Sequence, residues 1–306
     1  MFIKEFFRLY RLRFAWWNLA ISSTATTKSK PADYDGVTSD ILKIMVKHDV
    51  SFLAVCEVSS DDVKQIGARL PKPYQIMDLT FKAGRTRFDT AVVFNNNILN
   101  VKHIVNLNNK VRNQTIKAGQ KLIVTEKNYY EEFSVYIAHW SSRLSPDGES
   151  RRFRAAQILG QSALDDMKKN DQVIILGDFN DNPFDESVIQ LGAVRCHDST
   201  RKLRKETLYN PFWRNVVSQK TYNHIVNDED HFHSGTHFYP TPFDSNWHTF
   251  DQILVSGNFL GGNNWHLQEC QTGVLDNIYF LQHILDKSSP YDHLPIVCEI
   301  IRPEVN

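Results

Sequence analysis

Cysteine is scarce in this 306-residue chain, and its four copies, Cys56, Cys196, Cys270 and Cys298, are scattered. That is too few and too spread out for a disulfide framework or a CxxC zinc site. Three of them lie in or beside apolar runs ("FLAVCEV", "HLQECQ", "PIVCEI"), where a thiol packs as a small hydrophobe, so all four are expected to be reduced. Net charge is missing as well: 35 Lys and Arg balance 35 Asp and Glu, so no global field gathers polyanions and any recognition of them must be local. No stretch of roughly 18 apolar residues occurs, which excludes a membrane-spanning helix. The opening "MFIKEFFRLYRLRFAWW" is basic and aromatic, without the apolar core or small-residue cleavage site of a signal peptide. It reads as a short capping helix before the strand "RFAWWNLA", and a cytoplasmic setting is expected. Internal repeats, low-complexity tracts and Pro/Gly-rich linkers are absent too. With 42% hydrophobic residues the chain has material for one large core or two small ones.

What is present is a series of short, β-branched apolar runs: "FAWWNLA", "SFLAVCEV", "DTAVVFN", "KLIVTE", "FSVYIAHW", "QVIILGDF", "FDQILVS" and "PIVCEII". Bounded by Asn, Gly, Pro and Asp, they read as strands buried on at least one face. Helical spacing appears in Asp40 to Lys47 and in "SRRFRAAQILGQSALDDMKK", residues 150 to 169. Mixed hairpin and crossover connections predict a layered α/β or α+β fold rather than a clean βαβ repeat. From about 199 to 248 the strand signal lapses into a long polar segment rich in aromatics, the kind of loop that is usually functional or disordered.

Several strands carry one polar residue at an end. "FAWWNLA" holds Asn18, "FLAVCE" ends on Glu57, "SVYIAH" on His139 and "VIILGD" on Asp178, which is followed by Asn180; "FDQILVS" begins at Asp251, and "YDHLPIVCEI" enters its strand from Asp292 and His293. Singly each is ordinary: Asp-x-Asn before Pro is common turn chemistry, and a lone His is commonly a satisfied half-buried side chain. Together they fit one cleft, because ends of outgoing strands and starts of incoming ones share a rim in a mixed sheet. Carboxylate and amide oxygens suit a hard cation such as Mg²⁺, and histidines beside them suit proton transfer near neutral pH. That combination points to metal-assisted phosphoester hydrolysis.

In this order, "WNLA", "AVCE", "AHWSSR", "ILGDFND", "HTFDQILVS" and "YDHLPI" resemble the endonuclease/exonuclease/phosphatase superfamily over roughly residues 14 to 300. The resemblance implies a four-layer α/β sandwich, two packed mixed β-sheets flanked by helices. It also implies a single domain over 1–306, with a core at about 14–302 and a loop insertion at about 199–248. By the same resemblance Glu57, Asn18 and Asp292 would hold Mg²⁺, with Mn²⁺ as a substitute. Asp178 would orient or deprotonate the attacking water, Asn180 would hold that water or the phosphate, His293 paired with Asp251 would donate to a phosphate oxygen, and His139 would protonate the leaving oxygen. The chain departs from the family at Cys56, where Gln is usual, and at Tyr291, where Ser is common. Ala20 and His139 stand where apurinic endonucleases carry an acid and a Tyr, which argues against abasic-site repair.

For the substrate, Arg201, Lys202, Arg204, Lys205 and Arg214 interleave with Tyr209, Phe212 and Trp213, as cations and aromatics do on nucleic-acid surfaces. Arg143, and Arg85 with Arg87, are placed near the same rim. The substrate-binding set read from the sequence is Arg87, Arg143, Arg201, Lys205 and Trp213. The expected partner is nucleic acid, DNA in preference to RNA, and no protein partner is read. The reading is thus a Mg²⁺-dependent DNA endonuclease. Its alternatives are a phosphatase or phosphodiesterase for a metabolite or lipid head group, and a non-catalytic binding module. "HFHSGTH", with His231, His233 and His237, matches no standard zinc spacing and reads as a loop entering the strand "GTHFYP"; Trp247 reads as core.

Overall fold

The computed structural model describes residues 9–22, 32–111, 114–169, 171–203, 205–217, 233–239, 245–286 and 289–303. Along the chain run β1 (Leu9–Asn18), α1 (Tyr34–Leu42), β2 (Phe52–Cys56), α2 (Ser60–Gly67), β3 (Tyr74–Asp78), β4 (Phe81–Ala83), β5 (Thr86–Phe88), β6 (Thr90–Asn95), β7 (Leu99–Val111), β8 (Gln114–Glu126), β9 (Glu131–His139), α3 (Gly148–Lys168) and β10 (Gln172–Asp178). Then follow α4 (Glu186–Gln190), β11 (Ala193–Val194), α5 (His197–Lys202), β12 (Leu208–Tyr209), β13 (His237–Phe238), β14 (Trp247–His248), β15 (Asp251–Ser256), β16 (His266–Leu267), β17 (Gly273–Val274), α6 (Ile278–Leu285) and β18 (Ile296–Pro303).

Two large mixed sheets carry the architecture. One has the order β16-β18-β1-β2-β6-β3, with β17 also on β18, and the other β11-β12-β15-β10-β9-β8-β7. The period of two along each strand sorts side chains between layers. In β1, Phe14 and Trp16 enter the core between the sheets, while Ala15 and Trp17 join the cluster under α1 and α6. In β10, Ile174 and Leu176 face that same inter-sheet core, and Val173 and Ile175 pack with Ala156, Leu159 and Ala163 of α3. Helix, sheet, sheet, helix is therefore the layer order, as the sequence predicts. Each large apolar side chain fully buried this way contributes about 1.5–3 kcal/mol.

Several expectations need correction. β1 starts at Leu9, so the strand begins four residues before the predicted Arg13, while the capping helix read over residues 1–8 lies outside the described residues. Tyr10 donates to Glu126 and Arg13 to Glu299, which holds this basic stretch in the sheet. The first helix begins at Tyr34, capped by Asp33, and passes into a π-turn at Lys43–Lys47. Cys270 is exposed rather than packed, as is Cys196, whereas Cys56 and Cys298 are buried; none forms a disulfide. The segment at 199–248 is not structureless where described: β12 joins the second sheet, and β13 pairs with β14.

Candidate active site

Register brings the polar strand ends together. β1 and β2 run parallel with Asn18 opposite Cys56, so Glu57 leaves its strand beside Asn18. β9 and β10 run parallel with His139 opposite Asp178, and β15 runs antiparallel with Asp251 opposite that same Asp178. Four of these side chains extend the inward faces of their strands: Phe14, Trp16 then Asn18; Val135, Ile137 then His139; Ile174, Leu176 then Asp178; and Val255, Ile253 then Asp251. The site is the polar cap of the inter-sheet core at one rim. Gly177 permits the close approach this needs, because a Cβ there would lie 2.1 Å from the Ala138 carbonyl oxygen.

Three turns at the rim hold non-glycine residues in the left-handed region, Ala20 (φ 51), Glu57 (φ 57) and Asn180 (φ 53), each costing on the order of 1 kcal/mol. The backbone bends this way to reach the site. The Ala20 N–H donates to Asn18 Oδ1 (3.0 Å), which turns Asn18 Nδ2 toward Glu57 Oε1 (3.3 Å) and Asp178 Oδ2 (3.2 Å). The Asn180 N–H donates to Asp178 Oδ1 (2.9 Å), and its amide to the Trp140 carbonyl (3.2 Å). Asn18 thus clamps two carboxylates against each other. Burial and then the nearby Asp251 charge push Asp178 up to about 6, against the pull of His293 and His139.

His293 closes the opposite side. Its Nδ1 meets Asp251 Oδ2 at 2.6 Å, and its Nε2 lies 3.8 Å from Asp178 Oδ2. Asp251 also accepts from Trp16 Nε1 (2.8 Å) and Thr236 Oγ1 (2.7 Å), while Trp17 Nε1 donates to the His293 carbonyl (3.0 Å). Burial alone would strip the proton from His293; Asp251 and Asp178 outweigh it and hold its pKa well above the ordinary histidine value. His139 has a parallel support that the sequence reading missed. Its Nδ1 meets both oxygens of buried Asp89 at 3.0 Å, Lys117 Nζ stands 3.4 Å from that carboxylate, and His139 Nε2 lies 3.9 Å from Glu57 Oε1. Against burial, Asp89 raises His139, while His139 and Lys117 hold Asp89 far below the carboxylate range.

Asp292 sits slightly apart. Its carboxylate lies 3.8 Å from His293 Nε2 and 4.0 Å from His237 Nε2, with the His237 ring centroid 4.5 Å from that of His293. His237, read from the sequence as strand only, is in β13 but forms a bridge with His293, and burial and the two neighbouring histidines hold it well below the ordinary value. His233 instead faces Asp276 at 3.0 Å, and His231 lies outside the described residues. Only the pairing of β13 with β14 could have shown His237 to be near the rim. Asp89 carried a faint signal, an acid just before "TAVVF".

The expected substrate residues divide. Arg87 reaches the rim through the Ser22 carbonyl (2.8 Å). Arg143 follows the His139 strand but is occupied by Asp181, Asp185, the Asn180 carbonyl and the Phe250 ring. Trp213 packs on Phe184, just past the Asp178 turn. Arg201 and Lys205 are not brought to this rim. They precede β12, whose Leu208 pairs with Ser256 at the far end of β15 from Asp251.

The donor set fits a divalent cation. Glu57 and Asp178 present oxygens to a single amide nitrogen, and among the described residues neither pairs with Lys or Arg, only with histidine. Two clusters of metal-capable groups, Asp178/Asp251/His293 and His237/Asp292/His293, occur at this rim.

Mixed sheets facing each other, with acids and histidines capping their shared core, define a phosphoester-hydrolase class of site. Residues 24–295 match the sequence profile of the Endonuclease/Exonuclease/phosphatase family, and the chain belongs to it. No curated protein sequence matches it. Among solved structures it is similar to an endonuclease/exonuclease/phosphatase family protein from Bacteroides thetaiotaomicron (16% identity, TM-score 0.61, covering 97% of this chain and 100% of that one). It is also similar to the human Nocturnin catalytic domain (15%, 0.57, 96% and 97%) and to a B. thetaiotaomicron mannosyl-6-phosphatase (16%, 0.58, 94% and 99%). At these identities the likeness is one of fold. No helix among the described residues is long and apolar enough to cross a membrane.

Proposed function

We propose that the chain is a Mg²⁺-dependent phosphodiesterase whose substrate is nucleic acid, DNA in preference to RNA, cut internally. The observation that supports it most is the arrangement of Asp178 between two histidines, buried His293 and half-buried His139, each backed by its own aspartate. An acid raised to about 6 is poised to take a proton from water near neutral pH. His293, protonated and aimed by Asp251, donates to a phosphoryl oxygen as negative charge builds there. His139 gives its proton to the leaving oxygen, and solvent restores both groups after product leaves. Glu57, with Asn18 and Asp292, would hold the cation, which when bound supplies charge stabilisation for the phosphoryl group. Asn180 positions the water or the phosphate. Arg87, Arg143 and Trp213 flank the rim as substrate contacts, whereas Arg201 and Lys205 lie too far along the sheet to touch a phosphate at the centre.

A phosphatase is the second reading, supported by the fold shared with a protein named as a mannosyl-6-phosphatase. The deciding experiment sets purified protein with Mg²⁺ or Mn²⁺ against supercoiled plasmid, single-stranded DNA, RNA, bis-p-nitrophenyl phosphate and a sugar phosphate, with EDTA and Asp178→Ala controls. Plasmid nicking abolished by both controls is expected. Release of inorganic phosphate from the monoester alone would replace the nuclease by the phosphatase.

A further inference from the structure

A groove of about 1000 Å³ runs from the turn after Glu57 along the β4–β5 hairpin. Lys82, Arg85 and Arg87 line it, and no acidic side chain does. Lys82 and Arg87 are directly opposed in the hairpin register, an arrangement of like charges that weakens an antiparallel pair unless an anion lies between them. Arg85 adds a third cation at the hairpin turn, next to Gly84 (φ 62). Neither Lys82 nor Arg85 forms an ion pair with another described residue. Arg87 Nη2 is satisfied by the Ser22 carbonyl, but its Nε is buried and has no hydrogen-bond partner. Buried donors are rarely left so. Two acids beside the lining residues are already engaged: Asp78 by the Ser60 and Thr80 hydroxyls and the Thr80 N–H (2.8 Å), and Asp62 by the Ser59, Ser22 and Tyr34 hydroxyls and the Ser59 N–H (2.7 Å). A hairpin charged only for solubility would mix both signs.

Backbone hydrogen bonds tie the groove to the site. The Ser22 N–H donates to the Glu57 carbonyl (2.7 Å), and the Val58 N–H to that of Asp89 (3.2 Å), so the turns that place Arg87 also place Glu57 and the aspartate behind His139. Phe81, half exposed at the start of β4, adds an aromatic face beside the cations, the pairing that tracks a single strand by charge and stacking. We propose that this groove binds a phosphate of the substrate other than the one cleaved, so that the substrate is a nucleic-acid strand whose backbone passes from the Asp178–His293 centre to Lys82, Arg85 and Arg87. This rests on the phosphodiesterase reading above.

The test is fluorescence anisotropy of a labelled single-stranded oligonucleotide in EDTA, comparing wild type with Lys82→Ala/Arg85→Ala, two exposed positions outside the core; Lys82→Gln/Arg85→Gln serves if the first variant does not fold. Binding at least tenfold weaker in the variant, with the log–log salt slope reduced by about one to two, is expected, since each phosphate contact on a single strand contributes about 0.7. Equal affinity and slope would overturn the proposal. Inorganic tripolyphosphate separates the sources of phosphate: its retention through Lys82 and Arg85 by a protein that does not bind the oligonucleotide would assign the groove to a small phosphorylated molecule and overturn the strand. Hydrolysis of bis-p-nitrophenyl phosphate tests the centre separately, so an inert centre sinks the phosphodiesterase reading while the anisotropy still decides the groove.

Discussion

The two histidines of the rim are built alike and poised differently. His293 leans on Asp251, whose other partners are the neutral donors Trp16 and Thr236, and Asp178 adds a second negative charge nearby. His139 leans on Asp89, but Lys117 shares that carboxylate and lowers the histidine again. His293 is accordingly held well above its ordinary value and His139 raised less firmly. A permanently charged partner weakens the hold of an acid on its histidine; neutral donors do not. One histidine is thereby held in its charged form more firmly than the other.

Breaking the first arrangement carries the largest expected effect. Asp178→Ala and His293→Ala should each remove turnover by about 10²–10⁴-fold, with circular dichroism unchanged; a folded Asp178→Ala protein of normal activity would sink the assignment. Asp251→Asn should lose nearly as much, because His293 loses both its orientation and its charge, and Asp89→Asn about tenfold less than that, measured as kcat on the small diester. If the two aspartate variants fall equally, the comparison is wrong.

The pH profile sharpens the same contrast. Activity should rise as Asp178 loses its proton through about pH 6 and fall above the ordinary histidine range, through His139 first. Lys117→Ala should move that falling limb to higher pH. Stability gives an independent readout. Asp89, depressed when folded, stabilises above its unfolded value near ~3.9, and His139, raised when folded, stabilises below its unfolded value near ~6.5 and loses this as pH climbs through the folded value. The gap in Tm between wild type and Asp89→Asn should therefore be widest between about pH 4 and 6.5. The smallest effect belongs to Arg201→Glu with Lys205→Glu, which should leave the salt slope of nucleic-acid binding nearly unchanged, since both lie at the far end of β15 from the centre.

Most of the polar cluster at the rim was legible because it obeys a local rule. A strand that alternates inward apolar residues and then places Asn18, His139 or Asp178 at the next inward position announces a polar cap on a core, whatever its partners. The alternation gave a layered α/β fold; the four-layer order came from the family resemblance. The supports were not legible: Asp89 reaches His139 across 50 residues and Trp16 reaches Asp251 across 235, and no local pattern marks either. The placement of the basic segment was not legible for a related reason, since composition records that Arg201 and Lys205 are cationic but not which end of β15 they meet.

The sequence by itself thus determined the central strands of both sheets, β1, β2, β6, β8, β9, β10, β15 and β18, though not β3 or β7, and which polar residues stand at their ends, because side-chain alternation is a property of each strand alone. The tertiary structure decided which ends share a rim, that Asn18 clamps Glu57 and Asp178, that His237 lies against His293, and that Lys82 opposes Arg87 beside the Glu57 turn. Those depend on strand register, parallel for β9 with β10 and antiparallel for β10 with β15, and register is fixed by the packing of whole sheets rather than by any one segment.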